Sequence, residues 1–255
     1  MGDQMPVKLG MCGFTIGAAA YVKRFPVVEI QQTFYDPPPP ATIERWRSQA
    51  PADFEFTMKA WQVITHRGTS STYRRMKRAF DDRERAEAGG FMLNRTTLAA
   101  WDTTLEAARA LRATAILFQC PPSFKATDDN VAAMRSFFAA IERPSGIRFL
   151  WEPRGPWPDD TILSLCRDLA LVHAVDPFVR PSVTTELLYW RLHGNKSAYA
   201  SYTDAELRQI IQWLPKDSAV DTYVMFNNIP RVADVKRFIE LNTGDPPTVW
   251  QAAEV

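Results

Sequence analysis

Short apolar runs alternate along the chain with longer stretches whose apolar residues recur at helical spacing. Apolar runs without polar alternation suit strands buried on both faces, as in a parallel sheet covered by helices. Eight such runs stand out: Lys8–Phe14, Val27–Ile30, Phe54–Lys59, Ala115–Gln119, Arg148–Trp151, Leu169–Val175, Leu188–Leu192 and Thr222–Phe226. The spacing between them predicts helices over about Thr97–Leu111, Asp128–Ile141, Asp159–Arg167, Thr203–Leu214 and Val232–Leu241. Thr203 is the expected cap of its helix. Thr42 is the expected N-cap of a further helix carrying Arg45 and Trp46, after a stiff Pro37–Pro40 connection. Between Arg74 and Glu87, six basic and four acidic side chains predict a solvated helix or a lid, closed by Gly89–Gly90.

About eight strand–helix units without an internal boundary predict one α/β domain over residues 1–255, a TIM-type (β/α)8 barrel. An open nucleotide-binding sheet would place a GxGxxG turn after the first strand. Gly10, Gly13 and Gly17 do not have that spacing, and there is no Walker motif.

Composition narrows the picture. Hydrophobic residues make up 46% of the chain and charged residues 23%, enough for a sizeable core. A net charge of +1 removes any global pull toward nucleic acid or a membrane. Cys12, Cys120 and Cys166 are odd in number and form no CxxC pair, which argues against a disulfide scaffold or zinc ribbon. Met1–Gly10 lacks the pattern of a signal peptide, and no run approaches the roughly 18 apolar residues that span a bilayer. A cytoplasmic protein with no membrane partner is expected. Oligomeric state is not legible.

The chemistry sits at the strand ends. The runs finish in, or next to, Glu29 and Gln31, Lys59, Gln119, Glu152 with Arg154, Asp176, Arg191 with His193, and Asn227 with Asn228. Strand C-termini of an α/β barrel share one face, and its active sites lie there. Charges at buried strand ends must be paired or functional, because burying them alone is costly. Glu29 reads as a general acid or base, a metal ligand, or the salt-bridge partner of Lys59 or Arg191. Lys59 reads as a Schiff-base amine or, more blandly, as a neutralising or anion-holding charge. Pro153 fixes the turn that presents Glu152 and Arg154. Arg191 and His193, two apart, face the same side of a strand. His66 lies just past the third strand and can reach the mouth, whereas His173, inside a strand, reads as a satisfied core histidine.

The catalytic candidates are therefore Glu29, Lys59, Glu152 and His193. The ligand-binding candidates are Gln31, His66, Gln119, Arg154, Asp176, Arg191 and Asn227. A divalent metal ion is an open cofactor, with Glu29, Glu152, Asp176 and His193 as candidate ligands. Phe34, Tyr35, Trp61, Phe124, Trp151 and Trp157, with Tyr199 and Tyr202, recur beside these positions as packing or stacking surfaces.

Val28–Tyr35 followed by prolines and Arg45-Trp46, Phe56–Ala60 with Ile64–His66, and Leu117–Phe124 resemble the YecE-like family (domain of unknown function 72). Glu152-Pro153-Arg154 with Trp157, Arg191–Gly194 and Phe226–Asn228 complete the match in family order. The resemblance implies a TIM-type barrel and carries no reaction with it. It also implies a Trp- and Tyr-rich loop after the first strand. Here Thr15–Phe25 is short and keeps mainly Tyr21, so part of the usual pocket wall is expected to be missing.

The leading expectation is an enzyme acting on a small polar or anionic ligand containing a phosphate or sugar. Lys59, Arg154 and Arg191 would hold the anion, and Glu29, Glu152 or His193 would move a proton or hold a metal. Metal-assisted phosphodiester hydrolysis is one version, by analogy with barrel-shaped nucleases such as endonuclease IV. One alternative is a non-catalytic nucleic-acid or metabolite binding protein using the Arg74–Arg85 cluster. Another is a glycoside hydrolase using paired carboxylates.

Overall fold

Alternation along each strand decides the architecture. In Ala115–Gln119, Ala115 and Leu117 belong to one buried cluster, while Ile116 and Phe118 belong to another. Phe149 and Trp151 share the second cluster, and Leu150 between them the first. Strands buried on both faces need a sheet covered on both sides. A computed structural model describes residues 7–217 and 219–244, and the ends of the expected 1–255 domain lie outside the described residues.

The sheet closes into a barrel in the order β1 to β8, with parallel pairing throughout. The strands are β1 Val7–Cys12, β2 Val27–Ile30, β3 Glu55–Lys59, β4 Ala115–Gln119, β5 Arg148–Glu152, β6 Leu171–Val175, β7 Leu187–Leu192 and β8 Asp221–Phe226. The helices are α1 Ala18–Tyr21, α2 Gln32–Tyr35, α3 Pro40–Gln49, α4 Gln62–Thr65, α5 Asp82–Glu87, α6 Arg95–Leu111, α7 Asp128–Ala140, α8 Asp159–Asp168, α9 Asp204–Trp213 and α10 Arg231–Thr243. The expected (β/α)8 barrel is thus the observed fold.

The inner cluster, including Val27, Leu117, Leu150, Tyr189 and Met225, fills the barrel. The outer cluster glues helices to strands. Trp101 of α6 stacks on Phe118 at 5.9 Å and meets Phe149 edge-on at 5.4 Å. Full burial of each such large apolar side chain contributes roughly 1.5–3 kcal/mol. The N-terminal end of the barrel is sealed by a polar plug. Lys8 Nζ lies 2.7 Å from Glu55 Oε1, and Tyr223 donates its hydroxyl to Glu55 Oε2 at 2.7 Å.

Helix starts follow their caps. Asn94 with Thr97 and Thr203 with Glu206 form reciprocal capping boxes, as expected for Thr203. Thr42 is not an N-cap: α3 already begins at Pro40, whose ring presets the helical φ at the first position. The Arg74–Glu87 stretch is not one helix. It divides into a 3-10 turn, Ser71–Arg75, and α5, because Asp81 starts a new capping box with Glu84. The sixth strand–helix unit lacks its helix, since β6 and β7 are joined by an irregular crossover over 176–186. The sixth strand starts at Leu171 rather than Leu169. Leu169 caps α8, and Ala170 takes a left-handed turn with φ of 46°.

Two close approaches set the geometry near the mouth. Gly89, at φ of 82°, packs on the backbone of His66, where a Cβ would lie 2.2 Å from the carbonyl carbon. Gly10 pairs with Val27, and a Cβ there would lie 2.4 Å from the Val27 carbonyl oxygen. Gly10→Ala must therefore push β1 from β2, with an expected loss of about 1–3 kcal/mol in urea unfolding. An unchanged urea midpoint would show that the two strands separate freely.

Candidate functional site

The site grows from β7. Its period of two sends Tyr189, Arg191 and His193 inward, one above another, toward the C-terminal mouth. Arg191 is fully buried. Its Nε and Nη2 donate to Glu29 Oε2 and Oε1 at 2.9 and 2.8 Å, and its Nη1 donates to Glu152 Oε2 at 2.6 Å. One guanidinium thus clamps carboxylates from β2 and β5 across the barrel. Its planar fork suits two simultaneous carboxylate contacts.

Each carboxylate is further held. Tyr189 donates its hydroxyl to Glu29 Oε2 at 2.9 Å, and Gln31 donates its amide to Glu29 Oε1. Gln119 Nε2 donates to Glu152 Oε2 at 2.7 Å. His193 Nε2 lies 2.9 Å from Glu152 Oε1. Ionised Glu152 can only accept, so the ring proton that faces it sits on Nε2, and Asn227 Nδ2 lies 3.0 Å from His193 Nδ1. Three of the four carboxylate oxygens accept two hydrogen bonds. Glu152 Oε1 accepts one among the described residues and keeps a free lone pair.

Burial alone would raise both glutamate pKa values. The charge of Arg191 prevails, with its hydrogen bonds at Glu29 and with His193 and Arg154 at Glu152, holding Glu29 below its ordinary value and Glu152 well below it. Lys59, buried at the end of β3, shifts the other way. Burial and the Arg191 charge lower its pKa to about 7, against the pull of Glu29 and Glu152. Its Nζ donates to Gln119 Oε1 at 2.7 Å and lies 3.7 Å from the centre of the Phe34 ring. Burial, with the charges of Lys59 and Arg154, lowers His66 to about 3, so this imidazole is neutral. His66 packs edge-on against the same Phe34 ring and shares a hydrogen bond with Thr65.

The structure brings Glu29, Gln31, Lys59, Gln119, Glu152, Arg191, His193 and Asn227 into one connected network. A polar cleft of about 460 Å³ opens beside it, lined by Glu152, Arg154, Asp176, Arg180 and His193. Arg154 is exposed there and has no ion pair or hydrogen bond among the described residues. Asp176 stands apart from the network's side chains. Its carboxylate accepts the backbone N–H groups of Phe178 and His193, at 3.0 and 2.9 Å, and burial raises its pKa.

The proposed metal ligands do not converge. Among the described residues, no three His, Cys, Asp or Glu side chains are placed to share an ion. Arg191 lies between Glu29 and Glu152, and Asp176 is committed to backbone. His173 is only half satisfied: its Nδ1 accepts from Val183 N–H at 3.1 Å, but Nε2 is buried without a partner. Asn228 turns away from the mouth to Ala200 and Asp234. Tyr21 is no pocket wall either. Its hydroxyl accepts from Met11 N–H and donates to the Val27 carbonyl, stapling β1 to β2. Sequence reasoning missed Tyr189, Thr57 and Cys12. Tyr189 could have been found as the inward residue two before Arg191; its hydroxyl also lies 2.7 Å from Thr57 Oγ1. Cys12, at the end of β1, lies under the guanidinium, and burial keeps its thiol protonated.

A family model described as "Protein of unknown function DUF72" matches residues 18–244. The protein described as UPF0759 protein YunF, of Bacillus subtilis (strain 168), is 30% identical over 116 residues. That stretch covers 46% of this chain and 36% of the relative, about a third of its length. A crystal structure of a DUF72 family protein from Enterococcus faecalis superposes with a TM-score of 0.71 at 15% identity, over 92% of this chain and 95% of that one. Endonuclease IV from Thermus thermophilus superposes at 0.52 and 9% identity, over 93% and 100%. At these identities the structural likeness is one of fold. Among the described residues no helix is long and apolar enough to cross a membrane.

Removing Arg191 should expose its role. Arg191→Met leaves two buried carboxylates without their cation, with an expected loss of about 3–5 kcal/mol near neutral pH. In the wild type, the lowered glutamate pKa values add stability above their unfolded values, near 4.5, which is lost as pH falls through the folded ones. In the variant, burial is opposed only by Lys59 and Tyr189 at Glu29 and by His193 and Arg154 at Glu152, so both values rise and stability should improve as pH falls from 8 toward 5. Urea midpoints across that range should therefore converge. A constant gap would exclude the guanidinium as the source of the carboxylate shifts.

Proposed function

The chain belongs to the DUF72 family of proteins of unknown function, and we propose that it is an enzyme that binds a small anionic molecule at the barrel mouth and moves a proton through Glu152 and His193. One observation carries this reading. An imidazole backed by a buried carboxylate forms the wall of an open cleft that also holds an unpaired arginine. Arg154 meets the anion. A ligand that displaces the Asn227 amide reaches His193 Nδ1, while Glu152 stabilises the imidazolium that forms when Nδ1 takes a proton. The surrounding network is pre-ordered, so little reorganisation is required when charge develops.

The other expectations fare less well. Metal-assisted phosphodiester hydrolysis needs oxygens free to ligate, and Glu29 has none, both its oxygens being filled by N–H and O–H donors. Glycoside hydrolysis by Glu29 and Glu152 needs one of them to be protonated near neutrality, and both are held ionised by Arg191. The Arg74–Arg85 cluster is largely spent within itself: Arg78 pairs with Glu84, Arg83 with Glu87, and Arg75 lies over Tyr35. That favours a solvated surface over a phosphate track. Three buried free cysteines favour a reducing, cytoplasmic setting.

Two measurements test the reading. Millimolar inorganic phosphate, sugar phosphates and small carboxylates should include at least one class that raises the melting temperature. Arg154→Ala should weaken that ligand by about five- to tenfold, the size of one exposed charge-assisted contact. In a cell-derived metabolite pool followed by mass spectrometry, wild type should consume a species that His193→Asn leaves intact. If no anion stabilises the protein and the two proteins leave identical pools, the reading is lost.

A further inference from the structure

The barrel holds two buried or half-buried lysines, and they are treated in opposite ways. At the closed end, Lys8 has a carboxylate partner in Glu55, and the hydrogen bonds it donates to Glu55 and Tyr223 outweigh burial and raise its pKa. At the open end, Lys59 has no ion pair among the described residues, although two buried carboxylates lie nearby. Both are already committed to Arg191. A lysine kept for charge balance would occupy one of those carboxylates. Lys59 instead has an amide oxygen and the face of Phe34.

Gln119 explains why. Its Nε2 is fixed by Glu152, so its oxygen must face Lys59 and can only accept. A neutral amine satisfies that contact with one N–H and keeps its lone pair. The titratable groups acting on Lys59 come from several strands: charged Glu29 from β2, Glu152 from β5 and Arg191 from β7, and the protonated Cys12 thiol from β1. Neutral His66 flanks the same Phe34 ring.

We propose that Lys59 is the nucleophilic amine of this site and captures, as a covalent imine, a small aldehyde or ketone that carries a negatively charged group. This rests on the anionic-ligand reading above and names its substrate class. The nitrogen lone pair forms a bond to the carbonyl carbon, and the carbonyl π pair moves to oxygen. That oxygen then leaves as water with the two hydrogens of the amine, giving the imine. No oxidant, reductant or second reactant is required. Arg154 supplies the charge that would orient the substrate.

The test uses the full-length wild-type protein with glyoxylate, pyruvate or glyceraldehyde 3-phosphate in the presence of sodium cyanoborohydride, followed by peptide mapping. Because labelling is mapped on the wild type, the result does not depend on a variant folding. The expected result is a single dominant reduced adduct on Lys59 with at least one of these probes. Its rate should rise around pH 7 and exceed that with neutral acetaldehyde by about tenfold, the effect of one favourable charge contact. Lys59→Arg should remove the adduct. Labelling confined to exposed lysines such as Lys77 and Lys196 overturns the proposal. If phosphate or carboxylate stabilises the protein and Lys59 stays unlabelled, carbonyl capture falls alone; if neither occurs, the anion site falls with it.

Discussion

Everything at the mouth depends on one buried guanidinium held between two carboxylates. Isolated charges do not survive in a barrel interior, and a buried ion pair is tolerated only when its geometry is good and its remaining lone pairs are filled. Arg191 meets both conditions, with three donors on two glutamates and with Tyr189, Gln31, Gln119 and His193 filling much of what is left. Lysine at this position would be a point charge, unable to grip Glu29 side-on while reaching Glu152. The orientations that follow are inherited. Glu152 fixes Gln119, Gln119 fixes Lys59, and Glu152 fixes the tautomer of His193. A side chain near the centre of the barrel thereby sets the protonation of groups at its rim.

The same logic separates the two ends of the barrel. The closed end is balanced locally, with Lys8, Glu55 and Tyr223 satisfying one another. At the open end the direct carboxylate contacts go to Arg191, and Lys59 and Arg154 have no ion pair of their own among the described residues. In a medium of low effective dielectric a charge without such a pair costs free energy. Lys59 lowers that cost by tending toward its neutral form, and exposed Arg154 by remaining in water. Arg154, on the cleft wall without an ion pair among the described residues, favours an anionic occupant.

Much of this is legible in the sequence because burial on both faces leaves a plain signature. The runs Val27–Ile30 and Ala115–Gln119 match their strands to the residue, and the polar residues ending the runs collect at one mouth, with the exception of Asn228. The failures have local causes. Thr42 looks like a cap, but the proline two residues earlier starts the helix first. Eight periodic units suggest eight helices, but the sixth crossover runs as irregular chain. Tyr189 is hidden because an aromatic in an apolar run reads as packing, and only its register beneath Arg191 shows that its hydroxyl points at Glu29. The metal set fails for a reason no spacing reveals. Which acid meets which cation depends on side-chain reach across the barrel, and sequence order says nothing of that.

Accounting for the carboxylate lone pairs narrows the chemistry further. Glu29 has both oxygens doubly occupied, so it serves as the fixed counter-charge of Arg191 and has nothing to offer a ligand. Glu152 Oε2 is in the same position. Glu152 Oε1 alone keeps a lone pair, and it lies on the cleft side, joined to His193. The two glutamates look alike in sequence, each at the inward end of a buried strand, yet their partners fill both oxygens of one and leave a lone pair on the other. In the proposed function, proton traffic at this mouth runs through the Glu152–His193 pair. In the carbonyl-capture proposal, the group that bonds to the ligand is the buried amine without an ion pair among the described residues, Lys59.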